Sequence, residues 1–511
     1  MTDSVVRVVG LGLVFGFVLT LLARHLAGAV GLFDRPDGRR KIHDRPVAVV
    51  GGVTLFVSTV LTLLVAALFD PAVATALAES SGRAVWLLAA AGLIVLVGVY
   101  DDLKTLRARF KLAGQLAAVL LAVVGCGFVI ERVSVFGMSL EFGVFAVPVT
   151  VLWFLAAVNA LNLIDGMDGM LGTLGLVICA SLGLMAVAGG HGFAALVAFS
   201  LAAGLAAFLW FNLPPARVYL GDAGSMLIGL VVAALSVQCA LKKAAAAVAI
   251  LGPVSLLVLP FLDTSAAIVR RRLTGRGLAV ADRGHLHHLL LKRGWSVSRS
   301  LLLVGGLALV AAAGAVAGAY YENDLIAVLT AASVVVLLLV GRLFGVAEAR
   351  LIAKRTVSAL STTVTRPAEV EMEVRLQGTA EWEEVWREIT GRAADLALTA
   401  VHLDVNAPLW HEGYHRRWEK RGHDPDRLAG WRVDLPLVGH GQVIGRLTVF
   451  GDRGAENIGE KLVEVSALAR KAEQLAHHAT QPYVTAAAVA EAATTRTPRP
   501  APPAAPLPQS V

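Results

Sequence analysis

Cysteine and charge are what this chain has least of. Three cysteines stand in 511 residues, and Asp, Glu, Lys and Arg together make up only 16%. Cys126, Cys179 and Cys239 each lie inside an apolar run and share no ligand-like spacing. That excludes a disulfide framework and a zinc site built on thiolates, and leaves them as small core residues. The scarcity of charge excludes an ordinary soluble protein of this size. The net charge of +7 is modest and unevenly spread, so it reads as membrane topology, with no nucleic-acid partner implied.

What is present in excess is apolar surface: 56% of residues are hydrophobic, and the mean hydropathy is +0.69. A membrane span needs about 20 mainly apolar residues. Runs of that kind cover 5–30, 47–69, 84–100, 112–130, 145–161, 171–188, 193–211, 225–241, 244–269, 301–320 and 325–343. The expected fold is therefore an all-α polytopic membrane protein of about eleven transmembrane helices. The first run exceeds a signal-peptide core and is read as a retained helix. Basic residues gather in the loops at 31–46, 101–111, 212–222 and 268–300, while the alternate loops hold almost none; Lys242 and Lys243 are the main exception. The positive-inside rule puts the basic loops in the cytoplasm and the N-terminus outside.

The domain organisation read from this pattern is a membrane domain at 1–343, a linker at 344–365, a small cytoplasmic α/β domain at 366–480 and a disordered Ala/Pro-rich tail at 481–511. Alternation at 369–376, 398–405, 431–437 and 442–450 predicts strands, and helical character is expected at 380–396 and 456–478. A glycine-centred alternation at 132–142 predicts a hairpin covering the outer face. Trp410-His411-Glu412-Gly-Tyr-His415 fits no metal template and is read as surface polar residues.

The chemistry lies where acids meet apolar runs. A carboxylate at the bilayer centre costs about 2.5–3.5 kcal/mol even on lenient scales. Asn159-Ala-Leu-Asn162-Leu-Ile-Asp165-Gly-Met-Asp168-Gly169 nevertheless follows such a run directly. Steps of three keep these side chains near one helix face. Their oxygens are of the kind magnesium takes, with positions left for water and phosphates. A polar helix–helix contact is the plainer alternative.

Asp101-Asp102 is a repelling pair that needs a cation, cationic side chains or a raised pKa, or is simply a helix terminus. Lys111 and Gln115 follow it in helical register. Gly221-Asp222-Ala-Gly224-Ser225 opens a span, where backbone N–H groups favour an anion or Asp222 caps the helix. Arg283-Gly284-His285-Leu286-His287-His288, with Arg270, Arg271, Arg272 and Arg276, would suit a diphosphate or a sugar; a solvated basic loop is the alternative. Lys41 and His43 supply similar groups, and Asp263 is a further buried polar contact. A cation-coupled transporter would also carry intramembrane acids, but these cluster at one face, and no inverted pair of broken spans stands out.

Four pieces in this order resemble the polyprenyl-phosphate N-acetylhexosamine-1-phosphate transferases of glycosyltransferase family 4. They are Asp101-Asp102 with Lys111 and Gln115, Asn159-x-x-Asn162-x-x-Asp165-Gly-x-Asp168-Gly, Gly221-Asp222-x-Gly-Ser225 and His285-x-His287-His288. The His motif and Arg39-Arg-Lys41-x-His43 look most like the branch using UDP-GlcNAc. The resemblance implies transfer of GlcNAc 1-phosphate to undecaprenyl phosphate with release of UMP, initiating a cell-envelope polysaccharide. Another UDP-N-acetylhexosamine, or UDP-MurNAc-pentapeptide, remains an alternative donor. It implies Mg2+, with Mn2+ as a substitute, held by Asn162 and Asp222. Asp101, Asp102, Asp165 and Asp168 would be catalytic. Lys41, His43, Lys111, Asn159, Arg283, His285, His287 and His288 would bind substrate. The implied site is the bacterial inner membrane, with the active site and the C-terminal domain cytoplasmic. A homodimer is left open. The C-terminal domain has a weak GAF-type likeness in its 433–447 segment and is read as a place for a regulatory ligand or partner.

Overall fold

The computed structural model describes residues 2–34, 47–135, 138–241, 251–273, 284–344, 369–377, 381–393, 395–396, 398–407, 412–420, 430–439, 442–452 and parts of 459–474. Lys41, His43 and Arg283, residues 345–365 of the linker and the tail lie outside the described residues. The chain divides into two compact units, Met1–Arg271 with Gly277–Glu348, and Arg272–Arg276 with Ala349–Val511.

The first unit is helical and built to cross a membrane. Among the described residues nine helices are long and apolar enough to span, so the protein is a multi-pass membrane protein. They are α1 (Thr2–Val30), α2 (Gly51–Phe69), α4 (Ser81–Lys104), α5 (Ala108–Leu120, continued by a π turn over Leu121–Gly125), α6 (Ala146–Ile164), α7 (Met170–Ala188), α8 (Gly192–Asn212), α9 (Gly221–Leu241) and α13 (Val297–Tyr320). A short α3 (Pro71–Glu79) joins α2 to α4; α14 (Asp324–Val340) is apolar but shorter than the nine.

Besides the run at 325–343, which yields the short α14, two runs differ from the sequence reading. The run at 47–69 begins as a strand, because β2 (Val47–Val49) pairs antiparallel with β1 (Phe33–Asp34) and parallel with β5 (Val218–Tyr219). The run at 244–269 is not one described helix: α10 (Leu251–Leu256) and α11 (Val258–Leu273) are separate, with polar Asp263, Arg270 and Arg271 on α11. The predicted hairpin is present as β3 (Arg132–Val135) paired antiparallel with β4 (Met138–Glu141).

Small residues let the central helices touch. α9 is the most enclosed span, with 94% of its apolar window buried. A Cβ on Gly98 of α4 or on Gly52 of α2 would collide with the α9 backbone at Ala223. Backbone-to-backbone approach of this kind drives helix association in lipid, where apolar burial alone gives no preference.

The second unit is a five-stranded antiparallel sheet in the order β6 (Glu369–Gln377), β8 (Glu412–Lys420), β7 (Leu398–Ala407), β10 (Gln442–Asp452), β9 (Gly430–Gly439). α15 (Glu381–Gly391) sets Trp382, Trp386 and Ile389 in one core with Val401, Leu403, Val405, Tyr414 and Trp418. β8 is the strand that the sequence reading missed; it begins at Glu412, inside the stretch taken as surface polar residues.

Candidate active site

α4, α5, α6 and α9 bring their polar ends together. Asp101 and Asp102 occupy the last turn of α4 and part company there. The Asp102 carboxylate accepts from the backbone N–H of Asp222 at 2.9 Å and of Ala223 at 3.3 Å. It therefore satisfies two of the orphan donors that open α9. The helix end expected to face a phosphate is occupied by a carboxylate of the chain itself. Asp101 turns the other way: Oδ1 accepts from the N–H of Leu106 at 2.6 Å, shaping the turn into α5, and Oδ2 lies 2.9 Å from Lys111 Nζ.

Lys111, in the first turn of α5, is the centre of the cluster. Its ammonium lies 2.9 Å from Asp101, 3.0 Å from Asp222 and donates to Asn162 Oδ1 at 3.2 Å. Asn162 Nδ2 in turn donates to Asp222 Oδ1 at 2.5 Å and to Ser225 Oγ at 2.7 Å. One turn along α5, Gln115 is buried and accepts from Asn159 Nδ2 at 3.0 Å, so Asn159 stands one layer behind the cation position. The steps 159 and 162 on α6 thus match the steps 115 and 111 on α5, as antiparallel neighbours must.

The turn at 165–169 adds further acids. Burial, with Asp222, Asp102 and Asp168 nearby, pushes the Asp165 carboxyl up to about 8, so it holds a proton at neutral pH. Asp168 Oδ2 accepts from the N–H of Ala216 at 2.9 Å, tying the turn to the segment before β5. Asn212 reinforces that tie: its Oδ1 accepts from the N–H of Gly169 at 3.1 Å, and its Nδ2 donates to Val218 O at 2.9 Å. The sequence reading did not single out Asn212. Its signal was the same as that of Asn159, a carboxamide closing an apolar run.

The His segment meets this turn from the other side. α12 (Leu286–Lys292) follows His285, and the buried His287 ring lies against Gly166, where any Cβ would overlap it. The His287 and His288 rings are 4.1 Å apart, and His285 stacks parallel to His287 at 6.0 Å. Burial first, and then the neighbouring His288 and His285, push His287 down to about 3. It is therefore a neutral imidazole at physiological pH, and the charge expected from three imidazoles does not include His287. Arg270 and Arg271 are both buried on α11, and the Arg270 guanidinium, backed on Gly284, supplies fixed positive charge beside the His segment.

Among the described residues no three His, Cys, Asp or Glu side chains are grouped as a metal cage. The donor set nonetheless fits a hard divalent ion, because oxygens of Asp101, Asn162 and Asp222 converge on one position that the Lys111 ammonium now fills. Magnesium commonly takes only one or two carboxylates from protein and completes its shell with water and substrate phosphates.

Fold and site together define a polytopic membrane enzyme whose polar groups are gathered at one end of the helix bundle. Residues 84–240 match glycosyl transferase family 4. A decaprenyl-phosphate N-acetylglucosaminephosphotransferase of Mycolicibacterium smegmatis is 32% identical over 322 residues, covering 59% of this chain and 79% of that protein. A probable undecaprenyl-phosphate N-acetylglucosaminyl 1-phosphate transferase of Bacillus subtilis is 28% identical over 289 residues, 56% of this chain and 77% of its own length. The undecaprenyl-phosphate alpha-N-acetylglucosaminyl 1-phosphate transferase of Escherichia coli K12 is 28% identical over 299 residues, 57% and 77% of the two chains. The chain belongs to glycosyl transferase family 4.

Proposed function

We propose that the protein transfers N-acetylglucosamine 1-phosphate from UDP-GlcNAc to a polyprenyl phosphate, undecaprenyl phosphate in the first instance, giving polyprenyl-diphospho-GlcNAc and UMP. The reading is supported by the relatives above and by the convergence of Asp101, Asn162 and Asp222 on one cation position. A phosphate oxygen of the lipid attacks the β-phosphorus of UDP-GlcNAc, and the bond between that phosphorus and the bridging oxygen breaks towards UMP. A phosphate monoester with a second pKa near 6 is largely dianionic at pH 7, so the nucleophile arrives without its proton and needs positioning more than a base.

Lys111 would hold the lipid phosphate against the donor's diphosphate, with Asp101 orienting the ammonium through its 2.9 Å contact. Asp102 would act one step back by fixing the start of α9, and with it Asp222. Asn162 and Asp222 would hold Mg2+, which when bound stabilises the charge developing on the diphosphate oxygens. Asp168, Arg270, Arg271 and the imidazoles of His285 and His288 would face the nucleotide sugar and the departing UMP. The basic residues of the loops at this end support a cytoplasmic position for it by the positive-inside rule, on the side where UDP-sugars are available. Mass spectrometry of lipid extracted after incubation with UDP-GlcNAc and undecaprenyl phosphate tests the assignment. A product heavier than the acceptor by one phospho-N-acetylhexosamine is expected; an unchanged acceptor with folded protein overturns it.

A further inference from the structure

The polar cluster at the end of α4, α5, α6 and α9 does not include Asp263. This residue sits midway along α11 and is 1% exposed, and none of the roles assigned above uses it. A buried carboxylate is retained where its oxygens are fully engaged. Both are: Oδ2 lies 2.8 Å from His285 Nδ1, and Oδ1 accepts from the backbone N–H of Leu286 at 2.8 Å. Two acceptor contacts are what an ionised carboxylate makes, since it has no proton to give. An accepting oxygen on that side calls for a proton on His285 Nδ1.

We propose that Asp263 is a positioning residue for the transfer reaction: it fixes the tautomer of His285 and pins the start of the His segment to α11. The same helix holds the segment a second time, two turns further on, where the Arg270 guanidinium backs Gly284. α11 is thus a rail for residues 284–288, and the rail sets where the His287 ring meets Gly166 in the Asp165–Asp168 turn. Asp263 touches neither substrate nor metal position. It acts through His285, in the way that a carboxylate behind a functional imidazole selects its tautomer and orientation.

The inference rests on the proposed transfer reaction, and the experiment separates the two. Asp263→Asn keeps an oxygen able to accept from Leu286 but replaces the other oxygen by an N–H donor, so His285 must move its proton to Nε2. With the full-length protein in nanodiscs, UMP release from UDP-GlcNAc and undecaprenyl phosphate is measured for wild type, Asp263→Asn, His285→Ala and the double variant. The expected loss in kcat for Asp263→Asn is on the order of tenfold to a hundredfold, with KM for UDP-GlcNAc changed far less. In the His285→Ala background the same substitution should change kcat by less than about twofold, because residues acting as a unit are non-additive. Equal losses in both backgrounds, or a near-normal kcat in Asp263→Asn, would overturn the proposal.

Nitrogen-15 histidine spectra, with the His285 signals identified by their loss in His285→Ala, give a second readout. The proton should sit on Nδ1 in wild type and on Nε2 in Asp263→Asn; the same tautomer in both contradicts the assignment. A wild type that releases no UMP defeats the transfer reading alone, since the tautomer measurement needs no turnover.

Discussion

Two sets of ion pairs, one from each unit of this chain, differ in kind. In the membrane unit Lys111, Asp101 and Asp222 meet with side chains only 20%, 7% and 31% exposed. In the C-terminal unit Arg432 and Asp434 meet at 55% and 39% exposure, on an open sheet face. Exposed pairs contribute about 0–1 kcal/mol and occur on any soluble domain. Buried ones are costly to assemble and break badly, because removing one partner strands the other. A membrane domain has no structural need for three such groups at one spot, so their presence points to a charged ligand. A pair comparable to the buried one, Arg416 with Glu383 at 8% and 28% exposure, stands in the C-terminal unit beside Trp386 and Tyr414.

Lys111→Met should break the comparison most severely. Two carboxylates would be left without their cation, and a loss of about 3–5 kcal/mol in stability is expected, read as a lowered unfolding midpoint in detergent. Added magnesium should recover more of that midpoint in the variant than it adds to wild type; no difference would argue against a shared cation position. Gly98→Val comes next, since its side chain would push α4 off Ala223. Overpacking of this sort costs about 1–3 kcal/mol, and the same unfolding assay would show it; an unchanged midpoint would mean that the two helices are not in close contact there.

Asp165→Asn should alter pH dependence more than stability at any one pH. The carboxyl is raised from 3.8 to about 8, so between those values the unfolded chain ionises while the folded one does not. The contribution of Asp165 to stability is therefore fullest below pH 3.8 and falls as pH rises to about 8, and the variant should lack that component of the slope. Parallel stability–pH curves would remove the assignment. The smallest effect belongs to Asp434→Asn in the C-terminal unit, where a change within about 1 kcal/mol is expected. A large loss there would erase the contrast between the two regions.

The membrane class was legible from the long apolar runs, and the acidic clusters because acids at the ends of such runs violate the rule that membrane-spanning helices avoid charge. Asn162 and Asp222 are neighbours as expected, since four separate motifs had to meet for any chemistry. What was not legible is which partner each acid takes. Nothing in Asp101-Asp102 says that one side chain would bind Lys111 and its neighbour would cap α9. Asp263 looked like an isolated polar contact, because its partner His285 lies 22 residues on in the sequence. β8 was hidden for a different reason. Arg416 is buried between Tyr414 and Trp418, so a charged residue interrupts the apolar alternation that marks a strand.

The most direct measurement is exchange of labelled UMP into UDP-GlcNAc by membranes carrying the protein and undecaprenyl phosphate, across a magnesium titration, in wild type and Asp222→Ala. Wild type should exchange label only when magnesium is present, and Asp222→Ala should lose at least about a hundredfold. Metal-independent exchange, or a near-normal rate in the variant, would contradict a cation held between Asn162 and Asp222.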